Sequence, residues 1–382
     1  MAIASQLRNQ NTNILILTGS PIAGRFSFPE QVDFVRIPGM IKKTNEEYLP
    51  MSIKINPGHA LDIRKKIIIA TVKAFQPQLF IVDKEPLGLK KEILPTLIWL
   101  KKCCPNTRTV LGLRDIMDDA ETIKDNWEKK RIYQALDKYY SEIWIYGMQD
   151  FYNPIQEYDI PAHISKKMHF TGYIPRQVKS KKEAIQERKR HGIRKEDKLV
   201  VVTTGGGGDG YPIMDAYLSI MELQRPDIPY RSILITGPFM PKAQRDEIFK
   251  RSKNLKIKVF HFYRQMEKIM AAADLVISMG GYNTLCELMS LKTVSLLIPR
   301  ETPRLEQTIR AQCFGERKLL DYIPWKALST ELLHKKVESL LNEPEAYQEA
   351  MSKLKMTGLD IIGQRIQGNS ESSKLQFIQP NL

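Results

Sequence analysis

A chain of 382 residues is long enough for two domains, each burying its own core. Its 42% hydrophobic and 26% charged content is ordinary for a soluble globular protein, and 58 Lys+Arg against 43 Asp+Glu leave a formal charge of +15. That balance suits a phosphate-bearing substrate or an anionic membrane surface, but no nucleic-acid motif accompanies it, so no nucleic-acid partner is expected. Cys103, Cys104, Cys286 and Cys313 are too few for a secreted disulfide framework and lack zinc-site spacing. They read as buried, reduced thiols.

The polar start "MAIASQLRNQNTN" (1–13) has no signal-peptide core, and "AIASQLRNQ" (2–10) within it reads as the end of a helix. No later run approaches the roughly 18 apolar residues that span a bilayer. A cytoplasmic protein is expected, with room for peripheral contact to the inner membrane face. Strand candidates in the first half are 13–19, 33–38, 78–84, 108–115 and 142–147, with amphipathic helices over 61–75 and 90–103. The second half repeats the alternation with strands at 198–205, 231–237, 256–262, 274–280 and 293–299. Strands alternating with helices predict parallel sheets covered on both faces. The fold class is therefore α/β, with two Rossmann-like, doubly wound domains. The boundaries are placed at 1–173 and 174–360, followed by a weakly ordered tail over 361–382. A basic stretch, 179–198, reads as a solvated surface helix.

Three loops carry candidate chemistry. The run "TTGGGGDGY" (203–211) follows an apolar strand and precedes a helix, with Gly205, Gly206, Gly207 and Gly208 in succession and Asp209 behind them. Unpaired helix amides and the positive end of the helix dipole attract phosphate, and glycine lets several amides converge on it. A flexible connection is the competing reading of that loop alone. The stretch "SMGGYNTLCE" (278–287) repeats the logic, with Gly280 and Gly281 before a helix bearing Asn283, Thr284 and Glu287. Glu287 falls where a carboxylate could accept a ribose diol, or merely stabilise the helix dipole. In "IPRETPRLEQTIRA" (298–311), Arg300 and Arg304 could neutralise phosphate charge while Glu306 and Gln307 reach sugar hydroxyls.

With these loops in order, the second half resembles the donor domain of GT-B glycosyltransferases of the family 28 type. The run 259–311 carries the ordered signature, and "FTGYIPR" (170–176) resembles the segment entering the interdomain linker, with Arg176 at its arginine. The landmarks "LTGSP", "VDKEPLG", "LGLRD" and "EIWIYG" extend the resemblance over the chain to about residue 360. The resemblance implies two domains facing a cleft and a UDP-sugar donor, with inversion at the anomeric carbon. It implies no bound metal and no cofactor. Tyr263 would lie at the uracil, Glu287 at the ribose, Gly280, Gly281 and Thr284 around the phosphates, and Glu306 and Gln307 at the donor sugar.

The resemblance departs at the N-terminus, where relatives place a strand and a Gly-x-Gly-His loop before the first helix. A start inside that helix would leave the first sheet without a central strand, with apolar edges exposed; a start at an internal methionine or a truncated form is the expectation. An inverting transfer also needs a base. Asp83, Glu85 and Asp115 end strands of the first half, where Arg114 could hold an acceptor anion. Helix capping or ion pairing are their structural alternatives. The expected activity is sugar transfer from a UDP-sugar to a lipid-linked or cell-envelope glycan. A UDP-sugar epimerase or hydrolase, or a non-catalytic nucleotide-sugar-binding protein, stands as the alternative.

Overall fold

The computed structural model describes residues 2–8, 12–21, 23–25, 28–42, 48–224 and 228–367. It divides into two compact units. One comprises Met1–Asp115, Ala120–Ile174 and the chain from Thr357 onward; the other comprises Ile116–Asp119 and Pro175–Met356.

The first unit opens on the helix Ala2–Arg8, as its sequence suggests, followed by strands β1 (Ile14–Thr18) and β2 (Val32–Arg36). An antiparallel hairpin, β3 (Met40–Lys42) and β4 (Tyr48–Pro50), precedes the long helix Pro57–Phe75. Asn56 caps that helix by accepting the Gly58 amide at 2.8 Å. Four parallel strands follow: β5 (Leu79–Asp83), β6 (Arg108–Arg114), β7 (Glu142–Tyr146) and β8 (Met168–Phe170). The strands do not form one sheet. Among the described residues β1 pairs only with β2, and β5–β8 form a separate sheet. The consequence is visible in burial: Ile143, Trp144 and Ile145 of β7 are fully buried, while every residue of β1 is half-exposed. Parallel strands this apolar are ordinarily covered on both faces.

The second unit contains a single six-stranded sheet, β9 (Lys198–Thr203), β10 (Tyr230–Ile235), β11 (Ile257–Phe260), β12 (Leu275–Ser278), β13 (Ser295–Leu297) and β14 (Asp321–Tyr322). Its spatial order is β11-β10-β9-β12-β13-β14, and every pairing is parallel. The order reverses direction between β9 and β12. Crossovers on either side of that point diverge, which opens a crevice beyond the carboxyl ends of the two strands. Val200, Val201 and Val202 of β9 and Leu275, Val276 and Ile277 of β12 are all fully buried, so the crevice rests on the buried centre of the sheet.

Three expectations need correction. The tail expected from residue 361 begins inside a helix, Gly358–Gln367, with Ile362 fully buried; the rest of it lies outside the described residues. Gly358 brings that helix against the first unit, since a Cβ there would stand 2.7 Å from the Tyr173 carbonyl. The basic stretch does form a helix, Lys181–Arg190, opened by a Ser180–Glu183 capping box, but it is not wholly solvated because Glu187 is buried. Of the four free cysteines only Cys286 is buried; Cys103 ends a helix on its solvent side. Among the described residues no helix is long and apolar enough to cross a membrane.

Candidate functional site

The loop leaving β9 is shaped by backbone packing. Gly207 has φ +86°, and a Cβ there would stand 2.0 Å from the Thr236 carbonyl of the loop after β10. Phe239 donates its amide to the Gly206 carbonyl at 2.8 Å, fastening the two loops together. Gly208 differs. Its φ lies outside the left-handed region and nothing stands within 4 Å of where a Cβ would be. Neither conformation nor packing requires glycine there. The helix Tyr211–Leu223 then starts at Gly210 with no side-chain cap.

The loop after β12 is built the same way. Gly281 has φ −58°, also with nothing within 4 Å of a Cβ, and it opens the helix Tyr282–Leu291 without a side-chain cap. Two adjacent parallel strands thus each deliver uncapped helix amides to one crevice, where an anion satisfies donors that water otherwise serves. After β13, Arg300 turns back over the same space. Its Nη1 lies 2.8 Å from the Asp209 carboxylate and its Nη2 lies 3.5 Å from Glu306. The Gln307 amide is oriented by its neighbours, its nitrogen donating to the Met279 carbonyl at 2.7 Å and its oxygen accepting Arg300 Nε at 3.2 Å. Together these loops enclose a cavity of about 370 Å³, which Ser278 also lines with a buried hydroxyl lacking a hydrogen-bond partner.

A second, more apolar cavity of about 110 Å³ shares Thr203, Gly205 and Thr284 with the first. Its walls are Ile235, Pro238, Phe262, Tyr263, Met266 and Met270, and Glu287 stands among them. Burial pushes the Glu287 carboxyl above its ordinary value, against an opposing pull from Arg176. Tyr263 enters with its hydroxyl already committed, donating to the buried Glu187 and lying 2.7 Å from His191 Nε2. What it offers the cavity is ring and backbone. One polar carboxylate in an apolar slot beside an amide-lined cradle matches the needs of a nucleoside and its phosphates.

The candidates from the sequence divide accordingly. The larger cavity gathers Gly205, Gly206, Gly207, Gly208, Asp209, Gly280, Gly281, Thr284 and Gln307, and the smaller one adds Tyr263 and Glu287. Arg176, Asn283, Arg304 and Glu306 line neither. Arg176 Nη2 donates to Asn283 Oδ1 at 2.9 Å, which fixes the start of the helix, while Arg304 lies 4.0 Å from Asp118 and Glu306 supports Arg300. In the first unit Asp83 and Glu85 are exposed, and Arg114 is half-buried at the end of β6. Asp115 is fully buried and its carboxylate accepts the Tyr173 hydroxyl, a structural tie within the unit. Sequence reading missed the loop after β10, where Gly237, Pro238 and Phe239 complete both cavities. Its signal was a Gly-Pro pair closing an apolar strand, "ILITGP".

The comparisons agree with this geometry. Residues 199–365 match the glycosyltransferase family 28 C-terminal domain. The chain is 30% identical, over 38% of its own length and 40% of the relative's, to the UDP-N-acetylglucosamine--N-acetylmuramyl-(pentapeptide) pyrophosphoryl-undecaprenol N-acetylglucosamine transferase of Alkaliphilus oremlandii. The enzyme of the same name from Natranaerobius thermophilus is 25% identical over 47% and 50% of the two chains. The match therefore spans half or less of these relatives. Among solved structures, Acinetobacter baumannii MurG superposes with TM-score 0.58 at 14% identity, covering 96% of this chain and 94% of that one. A Neisseria meningitidis UDP-GlcNAc 2-epimerase bound to UDP-GlcNAc gives 0.60 at 12% identity, covering 96% and 95%. The fold is the GT-B fold that such transferases and epimerases share.

Proposed function

We propose that this protein transfers a sugar from a UDP-sugar to a glycan acceptor, with inversion at the anomeric carbon. The observation that carries the reading is the pair Gly208 and Gly281, two cavity-lining glycines with ordinary φ and empty space where a Cβ would stand. A fold has no need of glycine at such positions, whereas a ligand whose phosphates rest on the backbone does. In this reading the diphosphate sits on the amides that open the helices Tyr211–Leu223 and Tyr282–Leu291, and Glu287 accepts the ribose hydroxyls. As UDP departs it gains negative charge, which the helix amides stabilise in place. The acceptor hydroxyl loses its proton to a carboxylate, for which exposed Asp83 and Glu85 are better suited than buried Asp115.

A lipid-linked acceptor, and peripheral contact with an anionic membrane, are supported by the acceptor that the relatives' names carry and by the charge of +15. No metal or cofactor is assigned a role. Activity in EDTA should equal activity without it, and loss in EDTA restored by Mn²⁺ would overturn the metal-free reading. The epimerase likeness favours a second reading, epimerisation or hydrolysis at the same cavity. Incubating the protein with UDP-N-acetylglucosamine, with and without extracted lipid-linked glycan, separates the two. Sugar appearing on the glycan supports transfer; a 2-epimer or free sugar formed equally well without glycan sinks it.

A further inference from the structure

The reading above gives no part to the ion pair between Asp209 and Arg300. Asp209 closes the glycine run after β9 and Arg300 follows β13, strands that flank β12. Both line the larger cavity, so the pair bridges that cavity above Gly280 and Gly281. The guanidinium is engaged on every side, by Asp209 at 2.8 Å, by Glu306 at 3.5 Å and, through Nε, by the Gln307 amide at 3.2 Å. Two carboxylates thus surround one cation at the place where the proposed ligand brings its own negative charge. Only one of them can leave cheaply. The Glu306 side chain is 16% exposed, and moving it would strand a buried charge; the Asp209 side chain is 54% exposed and can turn into water.

We propose that Asp209 is a resident counter-anion that the ligand's phosphate displaces. In the empty cavity it occupies Arg300 Nη1. When a nucleoside diphosphate enters, that donor passes to a phosphate oxygen and Asp209 swings into solvent. The arginine is thereby over-compensated while the cavity is empty, and affinity for the diphosphate is held below what the Arg300–Glu306 pair alone would give. The inference rests on the nucleotide reading above, and it adds a built-in competitor to that site.

Calorimetric titration with UDP and with inorganic pyrophosphate tests it, on the wild type, Asp209→Asn, Arg300→Gln and the double variant. Asp209→Asn should bind UDP about fivefold more tightly or better at low salt, and the gain should shrink as ionic strength rises and screens the pair. In the Arg300→Gln background the same substitution should bring a much smaller gain, because the contested donor is gone. Equal or weaker UDP binding by Asp209→Asn overturns the exchange and leaves the nucleotide reading intact. So does a loss confined to UDP-N-acetylglucosamine with UDP unchanged, which would make Asp209 a sugar contact. The converse separation is also available. If no variant binds UDP while pyrophosphate still binds Asp209→Asn more tightly than the wild type, the nucleotide reading falls and the exchange stands. Asp209 is exposed, so unchanged thermal stability of the variant is expected and verifies that the fold is not what changed.

Discussion

The two units are made from the same kinds of segment and spend them differently. In the second, β9 and β12 each have a parallel neighbour on both sides, and their apolar residues are fully buried. In the first, an equally apolar strand, "ILILT" in β1, has one described partner and stays half-exposed throughout. The contrast shows that strand composition alone does not create a core; the second neighbour does. It also explains where a ligand cradle can be precise. Loops that leave two fully paired central strands inherit their rigidity, which a phosphate site needs if amides are to converge without reorganising.

Substitution at matched isoleucines sharpens that contrast most. Ile277→Ala in β12 should cost about 4 kcal/mol, whereas Ile16→Ala in β1 should cost about 1 kcal/mol, as expected for full and partial burial. Hydrogen exchange on the amides of each unit would measure both, and equal costs would erase the distinction. A somewhat smaller effect is expected at Glu142, where the first unit concentrates its charge. Glu142 lies 2.6 Å from Arg108 and 3.0 Å from Arg365, and Trp144 donates to it at 3.0 Å. Glu142→Gln should cost about 3 kcal/mol, the low end for a buried pair because both arginines reach solvent.

The pH dependence of the two units should differ in sign. Burial pushes the Glu142 carboxyl up, but hydrogen bonds from Trp144 and the arginines outweigh it and hold the group below its ordinary 4.5. Its stabilisation is therefore present above pH 4.5 and lost as pH falls through the folded value. Glu287 is shifted upward by burial, so its contribution is present below pH 4.5 and lost as pH rises through its own folded value. On the proposed reading, the ionised carboxylate is the form of Glu287 that accepts the ribose hydroxyls. UDP affinity should accordingly climb as pH rises through that range, and Glu287→Ala should remove the climb while weakening binding at neutral pH by about 1–3 kcal/mol. Calorimetry at several pH values reads this smallest effect, and affinity unchanged in the variant would take Glu287 out of the site.

Much of this was legible because long apolar runs bounded by glycine leave little choice of structure. All ten strands read from such runs are present, most within a residue or two of their predicted ends. The strands that escaped are short ones with no apolar run: the hairpin strands β3 and β4, then β8 and the two-residue β14. Their pairing is decided by neighbours, which local sequence does not display. The same limit applies to the site. Glycine runs after β9 and β12 announced themselves, whereas Phe239 reaches the cavity only because Gly207 and Gly237 let two backbones touch. Arg176 and Glu306 have the right chemistry for phosphate or sugar; in the structure Arg176 donates to Asn283 and Glu306 pairs with Arg300, contacts that local sequence does not display. The tail looked unstructured because it is polar and glycine-containing; its helix depends on packing at Gly358 and Ile362.

That last helix has a consequence for synthesis. Arg365 reaches back to Glu142, and the helix Gly358–Gln367 also packs on the helix Ala2–Arg8. The first unit is thus built from segments on both sides of the second along the chain, with nearly the whole second unit made in between. On the ribosome the second unit can finish folding while the first still waits for its fastening, the reverse of the usual order in which N-terminal domains mature first. A nascent chain halted before residue 358 would present a completed second unit tethered to an unfinished companion.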